Sequence, residues 1–104
     1  MQRKGYILIR MKSRAKIGNK ELNGKVICKD GVCLTTFDDP KQTKKTYEAM
    51  KKEGKEVALE GNILVEMIKG AKKEEIAEKI IKEMQVLSKN LSPLMEITYQ
   101  VEKK

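Results

Sequence analysis

The chain has 104 residues, of which 39% are hydrophobic and 37% charged, and its 23 basic and 15 acidic residues give a net charge of +8. This composition excludes an intrinsically disordered chain and predicts one globular domain over residues 1–104. No apolar run approaches the roughly 18 residues of a membrane span and no signal-peptide pattern is present, so we expect a cytoplasmic protein without a membrane partner.

Hydrophobic periodicity predicts six strands and two helices. In chain order they are strands over 5–11, 25–29 and 32–37, a helix over 41–53, strands over 56–60 and 63–68, a helix over 71–89 and a strand over 94–101. This order, β-β-β-α-β-β-α-β, is typical of an α+β fold. We expect a mainly antiparallel sheet with both helices on one face.

Turn-forming dipeptides set the predicted boundaries. Asp30-Gly31 and Gly61-Asn62 each predict a tight hairpin, and Asn23-Gly24 predicts a turn before the second strand. Asp39 suits the N-cap of the first helix and Pro40 its first position. Capping therefore explains the acidic pair at residues 38–39 better than a magnesium site does.

The chain also contains a candidate internal repeat. A shift of 31 residues places residues 26–34 over residues 57–65, with turn upon turn, and places Pro40-Lys41 over Ala71-Lys72. Each half then forms a ββα unit. Few residues are identical between the two segments, so the origin of the repeat in a duplication is a hypothesis. The predicted segments are a basic leading strand and loop (1–24), two ββα units (25–54 and 56–90) and a closing strand (94–101).

Alternation along the hairpins gives the predicted sheet two apolar faces. We assign one face to the helices; its first-unit residues are Val26, Cys28, Cys33 and Phe37. The other face carries six residues that we expect to form an interface: Ile27, Val32, Leu34, Ile63, Val65 and Met67. The basic leading segment or another subunit would cover them, so a homo-oligomer is expected, unless the strand faces are shifted by one residue.

Positive charge is concentrated in the first third of the chain. Residues 1–34 carry nine basic and two acidic residues, a net +7, whereas residues 35–104 carry +1. All three arginines lie within the first 14 residues, and arginine suits phosphate recognition. The many Lys and Glu beside few Gln and Asn are typical of heat-adapted proteins.

This asymmetry predicts a small basic binding module that contacts nucleic acid phosphates, or another polyanion, with little sequence selectivity. The predicted contact residues are Arg3, Lys4, Arg10, Lys12, Arg14, Lys16 and Lys20, with Tyr6 as a stacking residue. One alternative is an ordinary solvated lysine-rich surface. Another is an oligomerising structural or adaptor protein that uses the second apolar face and has no catalytic activity.

Chemically reactive residues are few. Cys28 and Cys33 lie opposite each other across the first predicted hairpin, so a disulfide is one interpretation. Their counterparts in the second unit are leucines, which favours ordinary core packing. Histidine is absent, so neither a zinc shell nor a Ser-His-Asp or Cys-His catalytic set is complete. We therefore expect no metal and no cofactor, and an enzyme is not favoured.

The segment Ile63 to Glu75, ILVEMIKGAKKEE, carries a local resemblance. It resembles the strand-to-helix junction in the halves of TATA-binding proteins, where a Gly-Ala-Lys motif opens a long helix. The resemblance implies a curved sheet backed by helices. It covers this segment alone, because the strand count and leading helix of those halves are not evident elsewhere in the chain.

Overall fold

The computed structural model describes residues 5–15, 21–68, 73–91 and 95–103. Its elements are β1 (Ile7–Ala15), β2 (Glu21–Lys29), β3 (Val32–Phe37), α1 (Pro40–Lys52), β4 (Val57–Glu60), β5 (Ile63–Met67), α2 (Lys73–Leu91) and β6 (Met95–Lys103). The strands form one sheet in the order β4-β5-β3-β2-β1-β6, and every neighbouring pair is antiparallel. The predicted α+β fold and element order are confirmed.

Both predicted hairpins form around the predicted turns. The two residues of the Asp30-Gly31 turn have positive φ values of 52° and 80°, as a type I′ turn requires. Cys28 pairs with Cys33 across this hairpin, and Leu59 pairs with Leu64 across the next one. Because side chains alternate between faces, these two registers fix the face of every residue in four strands.

The prediction of a turn at Asn23-Gly24 is wrong, because both residues lie inside β2. β1 pairs with β2 from Glu21 to Cys28, and this pairing continues the strand through the dipeptide. Gly24 lies opposite Phe37, and a Cβ atom at Gly24 would lie 2.6 Å from the Phe37 ring. The glycine therefore permits a close contact with an aromatic ring, which is one of the uses of glycine within strands.

Three predicted elements end further along the chain in the structure than the sequence predicted. β1 continues beyond residue 11 to Ala15, α2 continues past Asn90 to Leu91, and β6 continues to Lys103. β1 and β6 pair with each other along their full lengths. Mutual pairing thus carries β1 through polar residues that were predicted to form a loop, and it carries β6 beyond its predicted end at residue 101.

Both helices pack on the same face of the sheet. Asp39 caps α1, since its carboxylate accepts a hydrogen bond from the Lys41 amide at 3.0 Å, and Pro40 occupies the first turn. The buried residues of the helices are Thr43, Thr46 and Met50 of α1 and Ile76, Ala77, Ile80, Met84 and Leu87 of α2. They join the inward residues of the strands, among them Ile7, Ile9, Val26, Cys33 and Leu64, in one core.

The internal repeat is not confirmed. β3 pairs with β5 about Leu34 and Val65, which are equivalent positions in the proposed repeat, so the two hairpins are arranged symmetrically. The remaining elements differ, because α1 has 13 residues and α2 has 19, while β2 has nine and β4 has four. The expected equivalence of the helix starts involves residues 71–72, which lie outside the described residues.

Candidate nucleic-acid interface

Three of the predicted contact residues, Arg10, Lys12 and Arg14, share the face of the sheet opposite the helices with the predicted interface residues. Along β1, Ile9, Met11 and Ser13 are buried on the helix side. Arg10 and Lys12 alternate with them and are exposed, so they point to the other side. We call this second side of the sheet the open face.

The basic part of the open face lies on β1 and β2. Arg10, Lys12 and Arg14 alternate along β1, and all three are exposed. Lys25 of β2 lies directly opposite Arg10 and is also exposed. We call these four residues the basic corner. Lys25 is not among the contact residues predicted from the sequence, because its position beside Arg10 depends on the register between the two strands.

The direct pairing of Arg10 with Lys25 is electrostatically unfavourable, since like charges opposite each other on adjacent strands destabilise a sheet. Glu102 lies 3.8 Å from Arg10, but the two side chains are 40% and 58% exposed. Such an exposed ion pair contributes little. Arg14 lies opposite Glu96 in the register with β6, so the excess positive charge is concentrated on the other three residues of the corner.

A shallow depression in the open face brings three residues of the basic corner, Arg10, Lys12 and Lys25, together with neutral polar groups and with one carboxylate, that of Asp38. Its lining draws on β3, β2, β1 and β6 and includes Arg10, Lys12, Asn23, Lys25, Thr36, Asp38, Thr98 and Gln100. Thr98 also donates a hydrogen bond of 3.3 Å to the Lys12 carbonyl, which ties β6 to β1 at this point. Cationic, amide and hydroxyl groups are the side chains that contact phosphate oxygens in protein–nucleic acid complexes.

The remaining predicted contact residues are not part of this surface as described. Arg3, Lys4, Lys16 and Lys20 lie outside the described residues. Tyr6 precedes β1, is half-buried and does not line the depression. The structure therefore brings Arg10, Lys12 and Arg14 together and does not place Tyr6 among them.

The six predicted interface residues lie together on the open face beside the basic corner. Ile27 pairs with Leu34 and Leu34 pairs with Val65, so the set crosses β2, β3 and β5. Its most exposed members are Leu34, Ile63 and Met67, at 39%, 41% and 45%. We call the whole set the apolar patch: Ile27, Val32, Leu34, Ile63, Val65 and Met67. The face assignment agrees with the structure, whereas the role as an interface stays a prediction.

A buried charged cluster lies on the helix-covered side, at a distance from the open face. Glu66 of β5 is 3% exposed, and Lys55 Nζ lies 2.9 Å from Oε2 of Glu83 on α2. Burial, together with the nearby Glu83 carboxylate, raises the pKa of Glu66 to about 8. Burial lowers the pKa of Lys55, but the hydrogen bond and charge of Glu83 outweigh it, and the net pKa is raised.

This cluster was not found from the sequence. Glu66 and Glu83 lie on different elements, β5 and α2, and they come together only in the folded protein. A signal was present, however, because Glu66 falls between Leu64 and Ile68 in the inward alternation of β5. One oxygen of each carboxylate, Oε1, is buried without a hydrogen-bond partner in the structure.

The two cysteines are joined in a disulfide. Cys28 and Cys33 have a Cα–Cα distance of 4.1 Å across the first hairpin. Their side chains are 3% and 0% exposed and belong to the core under the helices. The disulfide, which was the alternative interpretation of the sequence, is therefore present. Both cysteines are also buried in the core, as the favoured interpretation of core packing expected.

Comparison of the chain with protein-family models, curated proteins and solved structures finds no match. Within the local resemblance at residues 63–75, β5 and α2 occupy the expected strand and helix, and residues 69–72 lie outside the described ranges. Neither α1 nor α2, over the residues that the structure describes, is long and apolar enough to cross a membrane.

Proposed function

We propose that the protein binds nucleic acid through backbone phosphates, with the basic corner as the contact surface. The observation that carries this proposal is the exposed pair of like charges formed by Arg10 and Lys25, with Lys12 beside it in the same depression. The pair opposes folding of the free protein. A bound phosphate would reverse its effect, because each cation then faces an anion.

The dimensions of the corner support several phosphate contacts. Arg10 and Arg14 lie about 13 Å apart along β1, at roughly 3.3 Å per residue. B-DNA carries one phosphate per strand for every 3.4 Å or so of helix axis, so several phosphates lie within reach of a segment of that length. Three or four cations in this arrangement match one short stretch of nucleic acid backbone.

The placement of the aromatic side chains supports phosphate contact rather than recognition of bases. Phe37 is buried, and Tyr47 and Tyr99 pack against the core on the helix-covered side. Among the described residues, the strands therefore present no aromatic ring on the open face. Single-stranded nucleic acid is commonly bound by stacking bases on such rings, so we expect little sequence selectivity here.

Binding of labelled single-stranded and double-stranded oligonucleotides, followed by fluorescence anisotropy over a salt series, tests the proposal. We expect binding at low salt with similar affinity for unrelated sequences. A plot of log K against log salt concentration should have a slope of about −3, since three to four phosphates are neutralised. Absence of binding at low salt, or a slope near zero, would contradict the proposal.

A further inference from the structure

The apolar patch continues as a row across five strands. Ala58 pairs with Val65 on β5, which in turn pairs with Leu34 on β3. Leu34 pairs with Ile27 on β2, and Ile27 pairs with Leu8 on β1. Paired residues in a sheet share a face, so all five side chains lie at one level of the open face.

Opposite charges border this row at its two sides. Lys25 lies two residues from Ile27 on β2, and Glu60 lies two residues from Ala58 on β4; both are exposed. Lys25 pairs with Thr36 on β3, and Glu60 pairs with Ile63 on β5. The lysine and the glutamate therefore lie at the same level along the strands, on opposite sides of β3 and β5.

A second copy placed by a two-fold axis fits this pattern. An axis parallel to the strands, between β3 and β5, places β5 of one copy over β3 of the other and β4 over β2. Val65 then faces Leu34, and Ala58 faces Ile27. Glu60 of each copy faces Lys25 of the other, so the operation that pairs the apolar residues also pairs opposite charges.

We propose that the open face is the interface of a homodimer, in which two sheets stack face to face about this axis. Aligned packing of sheets about 10 Å apart is the arrangement of β-sandwiches. Because the axis is displaced from the centre of the six-stranded sheet, β1 and β6 of each copy extend beyond β4 of the other. Arg10, Lys12 and Arg14 consequently stay uncovered, whereas Lys25 is covered and faces Glu60 of the other copy. In the dimer, contact with nucleic acid therefore rests on the other three residues of the basic corner, and dimer formation does not require nucleic acid.

Charge exchange at the two facing positions tests the proposal. Sedimentation velocity over a concentration series gives the dimer dissociation constant of the full chain, after nucleic acid has been removed and its absence checked by absorbance. Lys25→Glu and Glu60→Lys each place like charges across the interface, and each should raise the dissociation constant about tenfold or more. The double variant K25E/E60K restores both pairs and should return to within about threefold of the unmodified protein.

Lys44→Glu is the matched control, because it makes the same charge change on an exposed position of α1, on the other side of the molecule. It should leave the dissociation constant unchanged, and circular dichroism should show all variants folded. A protein that stays monomeric at every concentration overturns the proposal. So does a dimer insensitive to the single variants, or a double variant that associates no better than they do.

Discussion

Replacing Arg10, Lys12 and Arg14 together by glutamine should lower the affinity for oligonucleotides by about two to three orders of magnitude at about 0.1 M salt. Each phosphate contact contributes about 0.9 to the slope of log K against log salt concentration. Three contacts therefore make the affinity at 0.1 M salt about 2.7 orders of magnitude higher than at 1 M salt, and the variant loses this gain. The slope of log K against log salt concentration should become shallower by about 3. Fluorescence anisotropy over the salt series measures both quantities.

The matched control for this variant removes the same charge from the helix-covered side. Lys41, Lys44 and Lys45 are exposed on α1, and their joint replacement by glutamine also lowers the net charge by three. If binding followed net charge alone, the two triple variants would lose affinity equally, and that result would contradict a localised site. We expect the α1 variant to retain most of the affinity, because its charges lie on the opposite face.

The second large effect concerns stability against pH, and it arises from Glu66. Its pKa of about 8 in the folded protein exceeds the value of 4.5 for a free glutamate side chain. Folding then favours the protonated carboxyl group. The contribution of Glu66 to the stability of the folded protein is therefore fully present below about pH 4.5 and is lost as the pH rises through about 8. Each unit of pKa difference corresponds to about 1.4 kcal/mol, so the loss across this window is on the order of a few kcal/mol.

Glu66→Gln keeps the shape of the side chain and removes its titration. Urea unfolding at a series of pH values from about 4.5 to about 9 should show that the variant loses less stability than the unmodified protein. At the alkaline end the variant should be the more stable of the two. Glu48→Gln, at an exposed position of α1, serves as the control and should leave the pH dependence unchanged. Equal pH dependence in the Glu66 variant and the unmodified protein would contradict this assignment.

Local signals in the sequence predicted much of the fold. Asp30-Gly31 specifies its hairpin because the turn needs positive φ at both residues, and the structure has them. Asp39-Pro40 likewise specifies a helix start through capping that involves adjacent residues. The same reasoning failed at Asn23-Gly24, where pairing with the long strand β1 and the contact with Phe37 outweigh the local preference for a turn.

The candidate site was predictable only in part, because its completion depends on contacts between distant segments. Alternation along β1 predicts that Arg10, Lys12 and Arg14 share a face. It does not predict that Lys25 lies opposite Arg10, since this requires the register of β1 against β2. The meeting of Glu66 with Glu83 similarly requires the position of α2 on the sheet, which no local pattern encodes.

Mapping of amide chemical shifts is a direct test of the claim that the basic corner contacts nucleic acid. A ¹⁵N-labelled sample is titrated with a short oligonucleotide at low salt. The largest changes should occur at Arg10, Lys12, Arg14 and Thr98, with little change at the exposed lysines of α1 and α2. Changes that are largest on the helices, or that are spread evenly over both sides of the sheet, would contradict the claim.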